Sequence, residues 1–272
     1  MRTVVVTVPV DAAEVASDRL WNAGARAVEE REAADGRVEL RTSLAGDDAV
    51  SLERLGSVPG GWVVAFEDVD DAPAETWRQF ARPIEIRPGL TIAPAWLGSA
   101  ELPSGSVRIE PGASFGLGDH PTTRLSAAAA DALVGPGDRV LDVGCGSGVL
   151  GIIAARRGAT RVVAIDVAEA AREATSGNSA RNGVADLVEV STTPVAEIHG
   201  VFDVVLANIL APTLVGMAPD LRRLTADDGR LVVSGVLTGG YDHVAEALRP
   251  MRPADARHLD GWSAVTFVHE QR

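Results

Sequence analysis

The sequence predicts an α/β protein: a doubly wound, Rossmann-like sheet with a terminal antiparallel hairpin, preceded by a small ferredoxin-like α+β domain. Three observations carry this. Residues 140–148, Val-Leu-Asp-Val-Gly-Cys-Gly-Ser-Gly, run an apolar strand into alternate glycines, and a helix-forming stretch, Val149 to Arg157, follows at once. Further apolar strands at 161–165 and 202–207 repeat the strand theme of such a sheet. The stretch ahead of residue 68 reads instead as β-α-β-β-α-β, the order of a ferredoxin-like module. At 272 residues the chain exceeds one ordinary domain. The expected division is a small domain at 1–68, a linker at 69–106 and a large domain at 107–272.

In the small domain, Arg2 to Val8 alternates as a strand, and Asp11 caps a helix that runs to Asn22 and stops at Gly24. Strands over 25–32 and 37–42 meet at Asp35-Gly36, a hairpin signal. A second helix is expected over 47–55, then a break at Pro59-Gly60-Gly61 and a strand over 62–67. An acidic connector covers 68–74, a short helix 75–80, and a strand or loop 84–93, while 94–106 carries no regular period.

Gly112, Gly116 and Gly118 make a pliant loop. Pro121-Thr122-Thr123 then starts a helix to Leu133, with hydroxyls placed to cap it. His120 in that loop reads either as a general base or as a hydrogen-bonding strut. Toward the end, a helix over 213–224 leads through an Asp227-Asp228-Gly229 turn to a strand over 230–236 and a helix over 241–248. Segments 254–259 and 264–269, joined at Asp260-Gly261-Trp262, form the closing hairpin.

The glycine run marks a nucleoside-cofactor site. Glycines at that spacing let backbone amides approach a ligand, and the helix start adds unpaired N–H groups. Asp166, ending the next strand, stands where an acid accepts both hydroxyls of a ribose. Residues 146–151 also satisfy G-x-G-x-x-G, the dinucleotide fingerprint. Two features oppose that reading: the turn begins earlier, at Gly144, and Asp142 just before it would repel a diphosphate. The same carboxylate suits a cationic amino acid, as in S-adenosylmethionine, which has an ammonium, a sulfonium and a ribose but no phosphate. Asn208 ends the strand at 202–207, on the edge where open α/β sheets bind ligands. Its neutral side-chain carbonyl can hold an amine by an N–H while the lone pair stays free to attack.

Composition sets bounds on partners. The net charge is −13, and all 25 Lys+Arg residues are arginine. Such a body repels nucleic-acid phosphates and attracts basic proteins, so a basic protein substrate is expected and direct nucleic-acid binding is not. Arg and Asp interrupt every apolar run before it reaches membrane length, so no membrane association is expected. Cys145 is the single cysteine, which points to a reducing cytoplasm. His243, His258 and His269 lack metal-ligand spacing, so no metal is expected.

The loop 115–123 (Phe-Gly-Leu-Gly-Asp-His-Pro-Thr-Thr), the run 142–148, Ile165-Asp166, Ala207-Asn208-Ile209-Leu210-Ala211 and Ser234-Gly235-Val236-Leu237 resemble one family. It is the PrmA family of class I S-adenosylmethionine-dependent methyltransferases, which modify ribosomal protein L11. The resemblance spans about residues 82 to 237; in the front module it extends to element order and the Trp77 region. It implies a class I methyltransferase domain behind a substrate-recognition domain, and S-adenosyl-L-methionine as cofactor. It further implies methyl transfer to lysine amines, with N-terminal amines as a further target, of a basic protein, foremost ribosomal protein L11. The implied cofactor contacts fall on Thr123, Gly144, Asp166 and Asn208; Phe115, Asp142 and Gly146 complete the candidate set, and Asn208 is the catalytic candidate. Leu117 stands where the family usually has threonine. The alternatives are methylation of a different protein, a non-catalytic S-adenosylmethionine binder, and a nicotinamide-dependent oxidoreductase.

Overall fold

Val4, Val6 and Val8 alternate along the first strand, β1 (Arg2–Pro9), and bury one of its faces. The computed structural model describes residues 2–23, 25, 28–42, 55, 58–68, 81–98, 102–110 and 118–270. It divides into two compact units, Met1–Ala81 and Arg82–Arg272.

The first unit adds α1 (Ala13–Asn22), β2 (Glu29–Ala33), β3 (Arg37–Thr42) and β4 (Val63–Asp68) to β1. Its strands pair antiparallel in the order β2-β3-β1-β4, the strand order of a ferredoxin-like sheet. Ala16 and Leu20 of α1 close over Val4, Val6, Val8, Val38 and Leu40. Asp35 and Gly36 both take left-handed backbone angles (φ 60° and 67°), which is how the Asp-Gly signal turns β2 into β3. Of the helix expected over 47–55, only Leu55 is described, helical and buried in this core. Gly24, the 69–80 stretch with its expected helix, and Trp77 lie outside the described residues.

The boundary at Ala81/Arg82 puts part of the expected linker inside the second unit. There β5 (Ile84–Arg87) and β6 (Leu90–Pro94) form a hairpin through Pro88-Gly89, and β7 (Val107–Ile109) pairs parallel to β6. Every residue of β6 is buried, so this stretch is core, and its small sheet packs under α2 (Pro121–Leu133). Arg87 forms an ion pair with the buried Asp131 of α2, tying sheet to helix.

The main sheet is built from β8 (Arg139–Val143), α3 (Val149–Arg156), β9 (Arg161–Ile165), α4 (Glu169–Arg181), β10 (Val188–Ser191), β11 (Phe202–Asn208), α5 (Ala211–Leu224), β12 (Thr225–Leu237), α6 (Asp242–Ala247), β13 (Arg252–Leu259) and β14 (Trp262–Val268). Its order is β10-β9-β8-β11-β12-β14-β13. The first five strands are parallel, and β14 and β13 close the far edge antiparallel. This is the class I methyltransferase sheet, with the terminal hairpin as its antiparallel edge. Sequence reading left 167–201 unassigned; α4 and β10 fill it. The expected turn at 227–229 is instead an irregularity inside β12, whose pairing with β11 shifts register between Phe202 and Val204.

Alternation along the strands divides the core. Val140, Val204, Leu206 and Val232 face α2 and α3, while Leu141, Val205, Ala207 and Val233 face α5 and α6. Each buried Leu or Val contributes about 1.5–3 kcal/mol relative to exposure, so register is strongly specified. Among the described residues no helix is long and apolar enough to cross a membrane.

Gly235 lies at the bulge where β12 shifts against β14, with φ 88°. A Cβ there would collide with the Ile209 carbonyl oxygen and sit 2.8 Å from its carbon. Gly235→Ala is therefore expected to destabilise the protein by about 2 kcal/mol or more, since strained φ and backbone contact add. Urea denaturation at equilibrium measures this; a loss under about 0.5 kcal/mol, within the range of an ordinary surface change, would contradict it.

Candidate cofactor and methyl-transfer site

Beyond β8 the chain turns at Gly144, Gly146 and Gly148, all left-handed (φ 71°, 53° and 79°). The sequence suggested that this turn offers its amides to a ligand. The structure corrects that. Gly144 N and Cys145 N both donate to Ile165 O at 2.8 and 3.1 Å, and Gly148 N donates to Cys145 O at 2.8 Å. Gly146 N donates to Asp166 Oδ2 at 3.0 Å, and Gly151 N, in the first turn of α3, to Asp142 Oδ2 at 2.9 Å. Five of the eight N–H groups from Gly144 to Gly151 are thus held by protein acceptors. A diphosphate needs an N–H cradle, and this turn has mostly closed its own on itself. The third glycine of the dinucleotide-like match, Gly151, serves packing: a Cβ there would lie 3.1 Å from Val162 and 3.2 Å from Asp142.

Asp142 is fully buried. One carboxylate oxygen accepts from Gly151; the other, Oδ1, is buried with no hydrogen-bond partner. Burial pushes its pKa up to about 7, with the Gly151 N–H pulling downward and the Asp166 charge adding a smaller push upward. An unpaired buried carboxylate oxygen is costly unless a cation meets it. A buried acid beside the turn is a poor neighbour for a phosphate. Asp166 follows β9, half-buried, its oxygens accepting from Gly146 N and, at 2.9 Å, Ala168 N. Each oxygen keeps a second lone pair, enough to accept a ribose hydroxyl.

Strand pairing brings these groups together. Val143 is in register with both Ile165 and Ala207, and Asn208 with Ser234. Asp142, Gly144, Gly146, Asp166 and Asn208 accordingly share the carboxyl edge of β9, β8 and β11, where parallel sheets bind ligands. The Asn208 side-chain amide is half-buried and takes no partner among the described residues. Its place is set by the next residue, Ile209. The Ile209 side chain fills the space that a Cβ on Gly144 would need, and its backbone carbonyl fills that of Gly235. Two glycines therefore let one residue lock the end of β11 against the cofactor turn.

Thr123 sits in the first turn of α2, buried, its hydroxyl without a partner. The cap of that helix is His120 and not a threonine: its Nδ1 accepts from Thr122 N at 3.3 Å and lies 2.8 Å from Thr122 Oγ1. The His120 ring also meets Trp262 edge-to-face, with centroids 5.1 Å apart. This is the strut geometry of the two roles the sequence left open. Phe115 and Leu117 lie outside the described residues. Cys145 is buried, its Sγ 3.3 Å from Thr175 Oγ1, and burial pushes its thiol pKa far up, so it is no nucleophile. His258 bonds Ser263 Oγ at 2.8 Å across the β13–β14 pair, and His269, just past β14, bonds Thr225 O at 3.1 Å. Sequence reading missed Thr175 and Asn178 of α4, which donate to the carbonyls of Gly146 and Ser147.

Comparison with known proteins shows the family of the chain. The family model for "Ribosomal protein L11 methyltransferase (PrmA)" matches residues 2–270. The chain is 39% identical over 236 residues to the ribosomal protein L11 methyltransferase of Symbiobacterium thermophilum, covering 84% of this chain and 74% of that protein. It is 44% identical to that of Geobacter sulfurreducens, covering 86% and 78%. The solved ribosomal protein L11 methylase of Lactobacillus delbrueckii subsp. bulgaricus superposes with TM-score 0.65 at 28% identity, over 70% of this chain and all of that one.

The raised Asp142 pKa carries a pH signature. A carboxyl whose folded pKa, about 7, exceeds its ordinary 3.8 favours the fold when protonated. That contribution is complete below pH 3.8 and is lost as pH rises to about 7. Asp142→Asn keeps the acceptor for Gly151 and removes the titration. Without cofactor, this variant is expected to gain stability relative to wild type between pH 4.5 and pH 8, read by urea denaturation at each pH; an unchanged difference would contradict the assignment.

Proposed function

Because the chain belongs to the ribosomal protein L11 methyltransferase family, we propose that it transfers methyl groups from S-adenosylmethionine to lysine amines of ribosomal protein L11, with the N-terminal amine as a further target. It is an S-adenosylmethionine-dependent protein methyltransferase. The observation that carries the site assignment is the unpartnered, buried Asp142 oxygen beside a glycine turn whose amides are spent on protein. Both features suit a cationic, phosphate-free nucleoside.

S-adenosylmethionine supplies a methyl carbon made electrophilic by the adjacent sulfonium. Asp142 offers the counter-charge to its ammonium, and Asp166 accepts the ribose hydroxyls beside Gly144 and Gly146. Thr123, with its buried unpaired hydroxyl, and Phe115 complete the cofactor contacts of this reading. Asn208 accepts one N–H of the incoming amine through its side-chain carbonyl, so that the nitrogen lone pair faces the methyl carbon. No strong base is required once the amine is neutral; a lysine has a pKa of about 10.4, so its fraction ready to attack grows with pH. The net charge of −13 favours encounter with a basic protein. The N-terminal unit, an independent four-stranded sheet with its own core, is assigned to docking that protein.

The test is transfer of label from methyl-labelled S-adenosylmethionine to purified ribosomal protein L11. Label is expected on the substrate, and Asn208→Ala is expected to lower kcat by about 10²-fold, the scale of lost orientation, with cofactor still bound. Cofactor binding without transfer to this substrate would overturn the substrate assignment; an unchanged kcat in the variant would overturn the role of Asn208.

A further inference from the structure

Three polar residues of α4, Thr175, Asn178 and Ser179, do not face water. Thr175 and Asn178, one turn apart on the helix, are both fully buried, and both point at the glycine turn. Thr175 Oγ1 lies 3.1 Å from Gly146 O, and Asn178 Nδ2 donates to Ser147 O at 2.9 Å. Successive carbonyls of the turn are thus held from one helix. Gly148 belongs to the same fit, because a Cβ there would lie 2.7 Å from the Thr175 methyl.

Asn178 does more than donate to the turn. Nδ2 also donates to Glu110 O at 2.9 Å, while Oδ1 accepts from Glu110 N at 2.9 Å and from Arg181 Nη1 at 2.7 Å. All of its principal hydrogen-bonding capacity is used, and the amide can face only one way: its oxygen meets two donors and its nitrogen two carbonyls. The side chain therefore bridges the segment just beyond β7 to the cofactor turn. Asn182, one turn on, reaches β7 and not the turn, accepting from Arg108 N at 3.0 Å and donating to Arg108 O at 2.7 Å and, within its own helix, to Asn178 O at 2.9 Å.

A peptide is planar and its N–H lies anti to its C=O, so holding the carbonyls of Gly146 and Ser147 fixes the two peptide planes that follow them. Left-handed glycines are the residues least able to hold such planes by themselves. We propose that Asn178, supported by Thr175, is a positioning residue for the cofactor, setting the peptide planes of the 146–148 turn from behind. The inference rests on the turn being the S-adenosylmethionine site.

The test compares wild type, Asn178→Asp, Asn182→Asp and Thr175→Val for S-adenosylmethionine affinity by calorimetry, melting temperature, and kcat and KM in methyl transfer. Asn178→Asp turns a carboxylate oxygen toward the Ser147 and Glu110 carbonyls and is expected to weaken cofactor binding by about tenfold or more. At saturating cofactor its kcat and its KM for the protein substrate are expected to stay within about twofold of wild type, since neither reacting group is touched. Asn182→Asp loses the donations to Arg108 O and Asn178 O but none to the turn. It is expected to melt earlier by a similar amount while cofactor affinity stays within about twofold. Thr175→Val keeps the shape of the residue and is expected to weaken cofactor binding by about three- to tenfold, so it decides the matter if Asn178→Asp does not fold. Equal affinity losses in the Asn178 and Asn182 variants, or none in Thr175→Val, would overturn the proposal. Failure of the wild-type protein itself to bind S-adenosylmethionine would instead overturn the assignment of the site.

Discussion

Four of the five N–H groups of the 144–148 turn, those of Gly144, Cys145, Gly146 and Gly148, are spent on Ile165 O, Cys145 O and the Asp166 carboxylate, and much of the site follows from that choice. By joining the turn to the end of β9, these bonds hold the carboxyl edges of β8 and β9 as one surface. They also take away the feature that would make the turn a phosphate cradle. What is left for a ligand is shape from the glycines and charge from two carboxylates, one with a buried oxygen that has no hydrogen-bond partner. A cationic nucleoside fits such a surface. A dinucleotide does not, although the spacing of residues 146–151 matches its fingerprint.

The same economy places the acceptor for the amine. Ile209 sits where only glycine is tolerated at 144 on one side and at 235 on the other. Asn208 is therefore held by packing on both sides, and its amide remains available. On the far side of the turn, Thr175 and Asn178 hold its carbonyls. The cofactor turn is supported from β9, from β11 and from α4, which is how a stretch rich in glycine acquires one conformation.

Much of this was legible in the sequence because it was written in residues with little conformational choice. The glycine run, Asp166 at a strand end and Asn208 after an apolar strand fall where the structure has them, and the terminal hairpin closes the sheet as expected. What escaped was written in tertiary contacts. The buried face of α4 is polar, carrying Thr175, Asn178 and Ser179, so its helical period does not show as an apolar stripe. β10 has four residues, only two of them apolar, too short to show alternation. The β5–β6 hairpin hides in a stretch marked by Pro88 and Gly89 that reads as linker. The partners of the glycine amides depend on which strand lies beside β8, and no local pattern records that.

The account stands or falls on the kind of ligand the turn accepts. The most direct measurement is calorimetric titration of the wild-type chain with S-adenosylhomocysteine and, separately, with ADP-ribose, which shares the adenosine but adds a diphosphate. Saturable binding of the first, one per chain, with no detectable binding of the second, is the expected result. Tighter binding of ADP-ribose would mean that the turn does cradle phosphate, and would contradict the reading of Asp142 and of the spent amides alike.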